Sequence, residues 1–86
     1  MRILLVEDDH MIGAAVSEAL NDAAYAVDWV KNGETAIDAA EAERYDLVLL
    51  DLGLPDADGL AVLRRLRAGR RQLPVIVATA RDGVDD

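Results

Sequence analysis

The sequence predicts an α/β protein of a single domain, built as a three-layer, doubly wound parallel sheet with helices on both faces. Short apolar runs alternate with segments of helical periodicity in the order β-α-β-α-β-α-β. The runs at residues 3–6 and 47–50 are apolar throughout, which is typical of parallel strands covered on both faces. A chain of 86 residues is long enough for one core and one site.

The first strand, residues 3–6, leads into a predicted helix of about three turns. Apolar side chains recur in this helix at every fourth position, at Ile12, Val16 and Leu20. Asp9 stands where the N-cap of the helix belongs. We therefore expect one apolar stripe of this helix to face the sheet.

Residues 25–30 predict a second strand of mixed polarity, with Trp29 on one face and Asp28 on the other. This mixed polarity favours a position at the edge of the sheet. An Asn-Gly turn signal follows, in which Asn32 can cap a second, weaker helix that ends near Glu43.

The most apolar run, residues 47–50, ends in Asp51 and predicts a central strand. A third helix is predicted from leucines and arginines on opposite faces, with Leu60, Leu63 and Leu66 on one and Arg64, Arg65 and Arg67 on the other. A fourth strand at residues 75–78 leads into Thr79, and residues 80–86 show no period.

The composition excludes several kinds of site. The absence of cysteine excludes a disulfide scaffold, a thiolate metal site and a cysteine nucleophile, and the single histidine, His10, excludes a histidine-rich zinc site. No apolar run approaches the ~18 residues of a membrane span, and the run at residues 3–6 is too short for a signal peptide, so we expect a cytoplasmic protein. The net charge of −8 argues against nucleic-acid binding by this segment and fits a site that holds a cation.

Acids and a hydroxyl stand at the carboxyl ends of three predicted strands. Glu7 and Asp8 follow the first strand, Asp51 ends the third, and Thr79 follows the fourth. In open α/β sheets, ligands bind beyond these ends, at the point where the strand order reverses. If the first and third strands are neighbours, as the doubly wound order has them, all four side chains meet at one edge.

Such a cluster has a definite chemistry. Adjacent carboxylates repel one another, so either their pKa values rise or a cation neutralises them. A ligand set made only of oxygen favours a hard ion, Mg²⁺ before zinc or copper. A carboxylate beside that ion can attack a phosphoryl group, which would form a mixed anhydride on Asp51. The Thr79 hydroxyl could then bond a phosphoryl oxygen.

Simpler interpretations account for several of these residues singly. Asp9 is best interpreted as a helix cap, and Glu7 with Asp8 fits a solvated loop as well as a metal site. Thr79 alone says little, since threonine is common at strand ends. Asp51 is harder to explain in this way, because burying a charge costs several kcal/mol unless something offsets it.

Three further features have ordinary structural interpretations. We expect His10 to be a surface residue of the first helical turn, and Trp29 to provide partial packing at the sheet edge rather than a platform for a cofactor. The arginine-rich run at residues 64–71 is expected to be a solvated helix face, with contact to a partner as the alternative.

Taken together, the residues resemble the receiver domain of two-component response regulators. The matching segments extend over the whole chain and include residues 3–9, 46–55, 58–60 and 74–80. The sequence is most similar to the OmpR/PhoB type, in the branch with PmrA- and QseB-like regulators. The resemblance implies a flavodoxin-like (CheY-like) fold with strand order 2-1-3-4, and a receiver domain over residues 1–86 in which the fifth strand and last helices are missing.

The resemblance also implies a role for each site residue. Asp51 would be the phosphoacceptor and a Mg²⁺ ligand, Asp8 would bind Mg²⁺ directly, and Glu7 would act through a metal-bound water. The backbone carbonyl of Gly53 would complete the ligands, and Thr79 would be the switch hydroxyl. The phosphodonor would be a sensor histidine kinase or a small molecule. The domain would be no enzyme beyond catalysing its own phosphorylation and dephosphorylation, and it would control transcription through a DNA-binding output domain outside this segment.

The sequence departs from the family pattern beyond the fourth strand. The family places a lysine and a switch aromatic on its fifth strand, whereas the only lysine here is Lys31, after the second strand, and no aromatic residue follows Tyr45. We therefore expect a chain cut after the fourth strand. An uncovered edge strand pairs readily with other chains, so we expect self-association or a marked loss of stability.

Two other functions remain open from the sequence. The first is a binding module that never takes up phosphate, which the missing lysine favours. The second is a phosphohydrolase of the haloacid dehalogenase type, which needs an acid two residues after its aspartate nucleophile. Gly53 occupies that position, which argues against it.

Overall fold

The computed structural model describes residues 1–51, 53–54, 59–69 and 72–78. Strands and helices alternate in the predicted order, as β1 (Arg2–Val6), α1 (His10–Asp22), β2 (Ala26–Val30), α2 (Gly33–Ala42), β3 (Leu47–Asp51), α3 (Gly59–Gly69) and β4 (Val75–Ala78). No helix in this part of the chain is long and apolar enough to cross a membrane.

The three strand pairs in the described residues are parallel, and the sheet has the order β2-β1-β3-β4. The predicted order and the predicted contact between the first and third strands are confirmed. In the register, Leu5 pairs with Trp29 on one side and with Leu49 on the other, so these three side chains share a face. β2 lies at one edge, as its mixed polarity predicts.

The main core lies between the sheet and the two helices α2 and α3. Alternate residues of the central strands supply its floor, and all are at most 1% exposed: Leu4, Val6, Val48 and Leu50. Ala36 from α2 and Val62 and Leu66 from α3 cover this floor. Each large aliphatic side chain removed from water contributes about 1.5–3 kcal/mol, so this face is the principal source of stability.

Two of the predicted helix faces differ from the observed ones. Gly13 is the only buried residue of α1, and Ile12 of the predicted stripe is 37% exposed. A β-carbon at Gly13 would lie only 2.1 Å from the Trp29 ring, so the helix approaches β2 through its glycine instead of an aliphatic ridge. In α3, Leu60 is 48% exposed, and Val62 occupies the buried position one turn before Leu66.

The ends of the first two helices are closed by hydrogen bonds. The predicted caps are confirmed, since Asp9 accepts from the Ile12 N–H (2.9 Å) and Asn32 accepts from the Thr35 N–H (2.8 Å). At the end of α1 the Tyr25 N–H donates to the Leu20 carbonyl, and the Ala24 N–H donates to the Asn21 carbonyl. This is the Schellman arrangement, and it places Ala24 at a φ of 74°, where glycine is usual.

A polar network closes the amino end of the sheet. The Tyr45 hydroxyl donates to Asp28 (2.6 Å), and Arg2 pairs with Asp28 (2.8 Å) and with Glu43 (2.9 Å). Burial, and then the hydrogen bond to Asp28, raise the pKa of Tyr45 to about 12. The network ties β1, β2 and the segment between α2 and β3 together.

Replacing Ala24 by glycine is expected to stabilise the chain. The left-handed conformation costs an L-residue about 1–2 kcal/mol, and glycine avoids this cost. Glycine also makes the unfolded chain more flexible, which cancels about half of the gain in stability. We expect a gain of about 0.5–1 kcal/mol in the free energy of unfolding, measured by urea denaturation. Ala23→Gly is the matched control, because its φ of −87° suits alanine, and it should destabilise. An equal loss of unfolding free energy in both variants would contradict the left-handed conformation of Ala24.

Tyr45→Phe is expected to cost about 1 kcal/mol near pH 8, through loss of the hydrogen bond to Asp28. The pKa of Tyr45 is raised from 10.0 to about 12 on folding, so the stability it contributes is complete below pH 10 and is lost as the pH rises toward 12. The difference in the free energy of unfolding between wild type and Tyr45→Phe should therefore decrease from pH 10 to pH 12, as measured by urea denaturation. A constant gap would show that Tyr45 does not hold its proton in the fold.

Candidate functional site

Three carboxylates meet at the carboxyl end of the sheet, as the sequence predicts. Glu7, Asp8 and Asp51 each offer an oxygen, and these oxygens lie within 4.8 Å of one another. The pairing of Val6 with Leu50 accounts for this, because it brings the residues that follow β1 level with the last residue of β3. Asp51, the last residue of β3, therefore lies beside Glu7 and Asp8, which follow β1.

Asp51 is the buried member of the group. Its residue is 8% exposed, and it follows the fully buried Leu50 at the end of β3. Its Oδ1 accepts a hydrogen bond from the Gly53 N–H (3.1 Å), which fixes the rotation of the carboxylate.

Glu7 and Asp8 are half-buried and lie in the segment that joins β1 to α1. Burial raises the pKa of Glu7, and the charges of Asp51 and Asp8 raise it further, while the Asp9 N–H on Glu7 Oε2 (3.1 Å) opposes the rise. The like charges therefore act on one another, as expected for carboxylates that meet at one edge of the sheet.

The donor set fits a hard divalent cation. Three carboxylates and no sulfur or imidazole ligand suit Mg²⁺, and its charge would offset the burial and the repulsion that raise the pKa of Glu7. Gly53 lies at the edge of this cluster, through its hydrogen bond to Asp51. Its carbonyl as a ligand stays a prediction.

The other residues singled out in the sequence lie outside the acidic cluster or outside the described part of the chain. Thr79 and the end of the chain lie outside the described residues, so its role as the switch hydroxyl stays a prediction. Asp9 caps α1, and His10 is exposed in the first turn of that helix, both as expected. Arg64, Arg65 and Arg67 are exposed on α3, in agreement with a solvated face.

Sequence reasoning missed one contact at this site. Trp29 provides packing at the sheet edge, as expected, and its ring lies against Gly13, but its indole N–H also donates to the backbone carbonyl of Glu7 (2.9 Å). Trp29 pairs with Leu5 in the sheet, two residues before Glu7, and that register could have indicated the proximity. The direction of the indole N–H could not be read from the sequence, because it depends on how α1 lies on the ring.

Comparison with known proteins agrees with this geometry. Residues 3–86 match the family model described as the response regulator receiver domain. The whole chain is 45% identical to the transcriptional regulatory protein QseB of Haemophilus influenzae and 45% identical to the transcriptional regulatory protein PmrA of Pectobacterium parmentieri. It spans 39% of the length of each of these two curated relatives.

A solved structure gives the same result for the fold. The response regulator protein TrrA of Thermotoga maritima, crystallised in complex with Mg²⁺-BeF, superposes with a TM-score of 0.89 at 34% identity. The match covers 94% of this chain and 70% of that one. The curated relatives are of the OmpR/PhoB type, and this chain belongs to the receiver domain family of two-component response regulators.

Proposed function

We propose that the chain is the phosphoacceptor part of a response regulator, and that Asp51 takes a phosphoryl group from a sensor histidine kinase with the help of Mg²⁺. The observation that carries this proposal is the carboxylate of Asp51, at the end of β3, beside the carboxylates of Glu7 and Asp8, with one oxygen of each within 4.8 Å of the others. The complex of the T. maritima relative with Mg²⁺-BeF supports the same chemistry for this site.

The proposed ligands divide by position. Asp8 and Asp51 would hold the ion directly, Glu7 through a water, and the Gly53 carbonyl would complete the protein ligands. When bound, Mg²⁺ supplies positive charge that lets a carboxylate approach an anionic phosphoryl group. The Gly53 N–H on Oδ1 meanwhile holds the Asp51 carboxylate in one orientation.

The transfer itself is a displacement at phosphorus. A bond forms between an Asp51 oxygen and phosphorus, while the bond from phosphorus to the donor histidine nitrogen breaks and its electron pair returns to the imidazole. The product is an acyl phosphate on Asp51, and we propose that the Thr79 hydroxyl then bonds one of its oxygens. This is signalling by a phosphoacceptor rather than turnover of a substrate.

The proposed output is control of transcription in the cytoplasm. The relatives are named transcriptional regulatory proteins, and the chain spans 39% of their length, so the output region would lie in the other part of such a protein. The net charge of −8 argues that DNA is not bound by this segment itself. Phosphorylation would act by changing charge and hydrogen bonding at the edge of the sheet.

A second candidate is a binding module that holds a cation but takes up no phosphate. It differs from the first candidate in one step, the transfer of a phosphoryl group to Asp51. Metal binding without phosphate uptake would support this candidate. No contact among the described residues of the site favours the phosphohydrolase alternative.

Asp51→Asn should abolish phosphorylation of the chain by acetyl phosphate in the presence of Mg²⁺, because the amide cannot form the acyl phosphate. Incorporation of labelled phosphate into a base-labile adduct measures the effect. Asp9→Asn is the matched control, because it is the same chemical change at a neighbouring acid whose capping role an asparagine also fulfils. Equal labelling of wild type and Asp51→Asn would refute the proposed function.

We also propose that the 86-residue chain self-associates through β4. Among the described residues, β4 pairs only with β3, and its Ile76 and Val77 are 54% and 40% exposed. Ile76 pairs with the half-buried Leu49, so an apolar strip extends from β3 to the sheet edge. A second copy could cover this strip and pair with the edge strand.

Self-association should appear in sedimentation velocity as a weight-average mass that rises with micromolar concentration. Ile76→Lys is expected to shift the chain toward the monomer, because a charge on the strip opposes burial by a second copy. Met11→Lys is the control, since Met11 is also exposed (81%) but lies on α1. A monomeric wild type that melts cooperatively would contradict the proposal.

A further inference from the structure

We propose that Trp29 is a positioning residue of the acidic site, whose indole N–H fixes the peptide that joins Glu7 to Asp8. The proposal rests on the proposed function, since it concerns how the cation ligands are held. Glu7 lies one residue beyond the last β1–β2 pair, Val6 with Val30. The pairing of β1 with β2 therefore does not by itself determine the backbone conformation of Glu7.

β2 nevertheless holds both backbone polar groups of Glu7. The Glu7 N–H donates to the Val30 carbonyl (3.0 Å), and the Glu7 carbonyl accepts from Trp29 Nε1 (2.9 Å). The second bond is made by a side chain, so it can be removed without changing the backbone of β2. It lies on the part of the chain that carries two of the three clustered acids.

The position of this bond matters more than its strength. The Glu7 carbonyl belongs to the planar peptide unit that also contains the Asp8 N–H. Holding that plane sets ψ of Glu7 and φ of Asp8, which together determine how the two side chains are directed relative to each other. Without the indole, the plane can rotate, and the two carboxylates would be spread over several arrangements, few of which suit one ion.

The indole is itself held on several sides. Gly13 of α1 lies so close that a β-carbon there would be 2.1 Å from the ring. The His10 ring lies 5.6 Å away between centroids, and Lys31 Nζ lies 5.1 Å from the indole centre. The donor is therefore placed in advance, and it need not be ordered when a cation binds.

The competing explanation is that Trp29 only fills space between α1 and β2. The two explanations differ in the N–H alone, so the decisive variant keeps the shape of the ring and removes the donor. Trp29 is the only tryptophan of the chain, so it can be replaced by β-(3-benzothienyl)alanine, in which sulfur takes the place of the indole N–H. Trp29→Phe is the genetic counterpart, and Val27→Ala on the same face of β2 is the packing control.

Two readouts test the proposal. In the metal-free chain, the carbonyl ¹³C resonance of Glu7 should move upfield in the benzothienyl chain, as expected on loss of a hydrogen bond, and should stay in place in Val27→Ala. Calorimetric titration with MgCl₂ should give binding about three- to tenfold weaker for the benzothienyl chain and Trp29→Phe, because the freed peptide must be ordered when the ion binds. Val27→Ala should bind Mg²⁺ like wild type.

The possible outcomes separate this proposal from the proposed function. If wild type binds Mg²⁺ and Asp8→Asn does not, but the benzothienyl chain matches wild type in both readouts, Trp29 is only a packing residue and this inference is overturned. Equally weakened Mg²⁺ binding in Val27→Ala would overturn it too, because a general loss of packing around β2 would then explain the effect. If wild type itself binds no Mg²⁺, the proposed function fails and this inference fails with it.

Discussion

The parallel pairing of β1 with β3 is the constraint on which the rest of this molecule depends. It places Val6 opposite Leu50, so the acids that follow β1 come level with the aspartate that ends β3. The same pairing lays Leu4 and Val48 side by side under α2 and α3, which forms the centre of the core. Core and site are thus two consequences of one register, and a slip of a single residue would turn every side chain to the wrong face.

The two ends of the sheet have opposite electrostatic character. At the amino end, Arg2 lies between Asp28 and Glu43, and Tyr45 donates to the same Asp28, so charges are paired and hydrogen-bonded. At the carboxyl end, three acids of one sign lie together, and burial with mutual repulsion raises the pKa of Glu7. Charged side chains are therefore paired at the amino end, where no ligand is expected. The negative charges at the carboxyl end, where the proposed cation would bind, have no such pairing in the described residues.

Most of the fold and the acidic cluster could be predicted because they follow from pattern. Continuous apolar runs indicate buried parallel strands, and the residues that end such runs must meet at one edge once the strand order is known. The failures concern packing between elements. Leu60 fits a helical stripe but lies on the exposed side of α3, and Ile12 is displaced from the core because α1 approaches through Gly13. Periodicity describes one helix at a time, whereas the contact of a glycine with an indole requires both partners.

The bond from Trp29 to Glu7 has a further consequence, for spectroscopy. Excitation at the red edge of the aromatic absorption avoids Tyr25 and Tyr45, so the emission comes from this one indole. The chromophore is joined by its own N–H to the backbone of Glu7, one of the clustered acids, and it lies near the only histidine and the only lysine of the chain. The protein therefore carries a built-in fluorophore in direct contact with its site, and no dye has to be attached to follow events there.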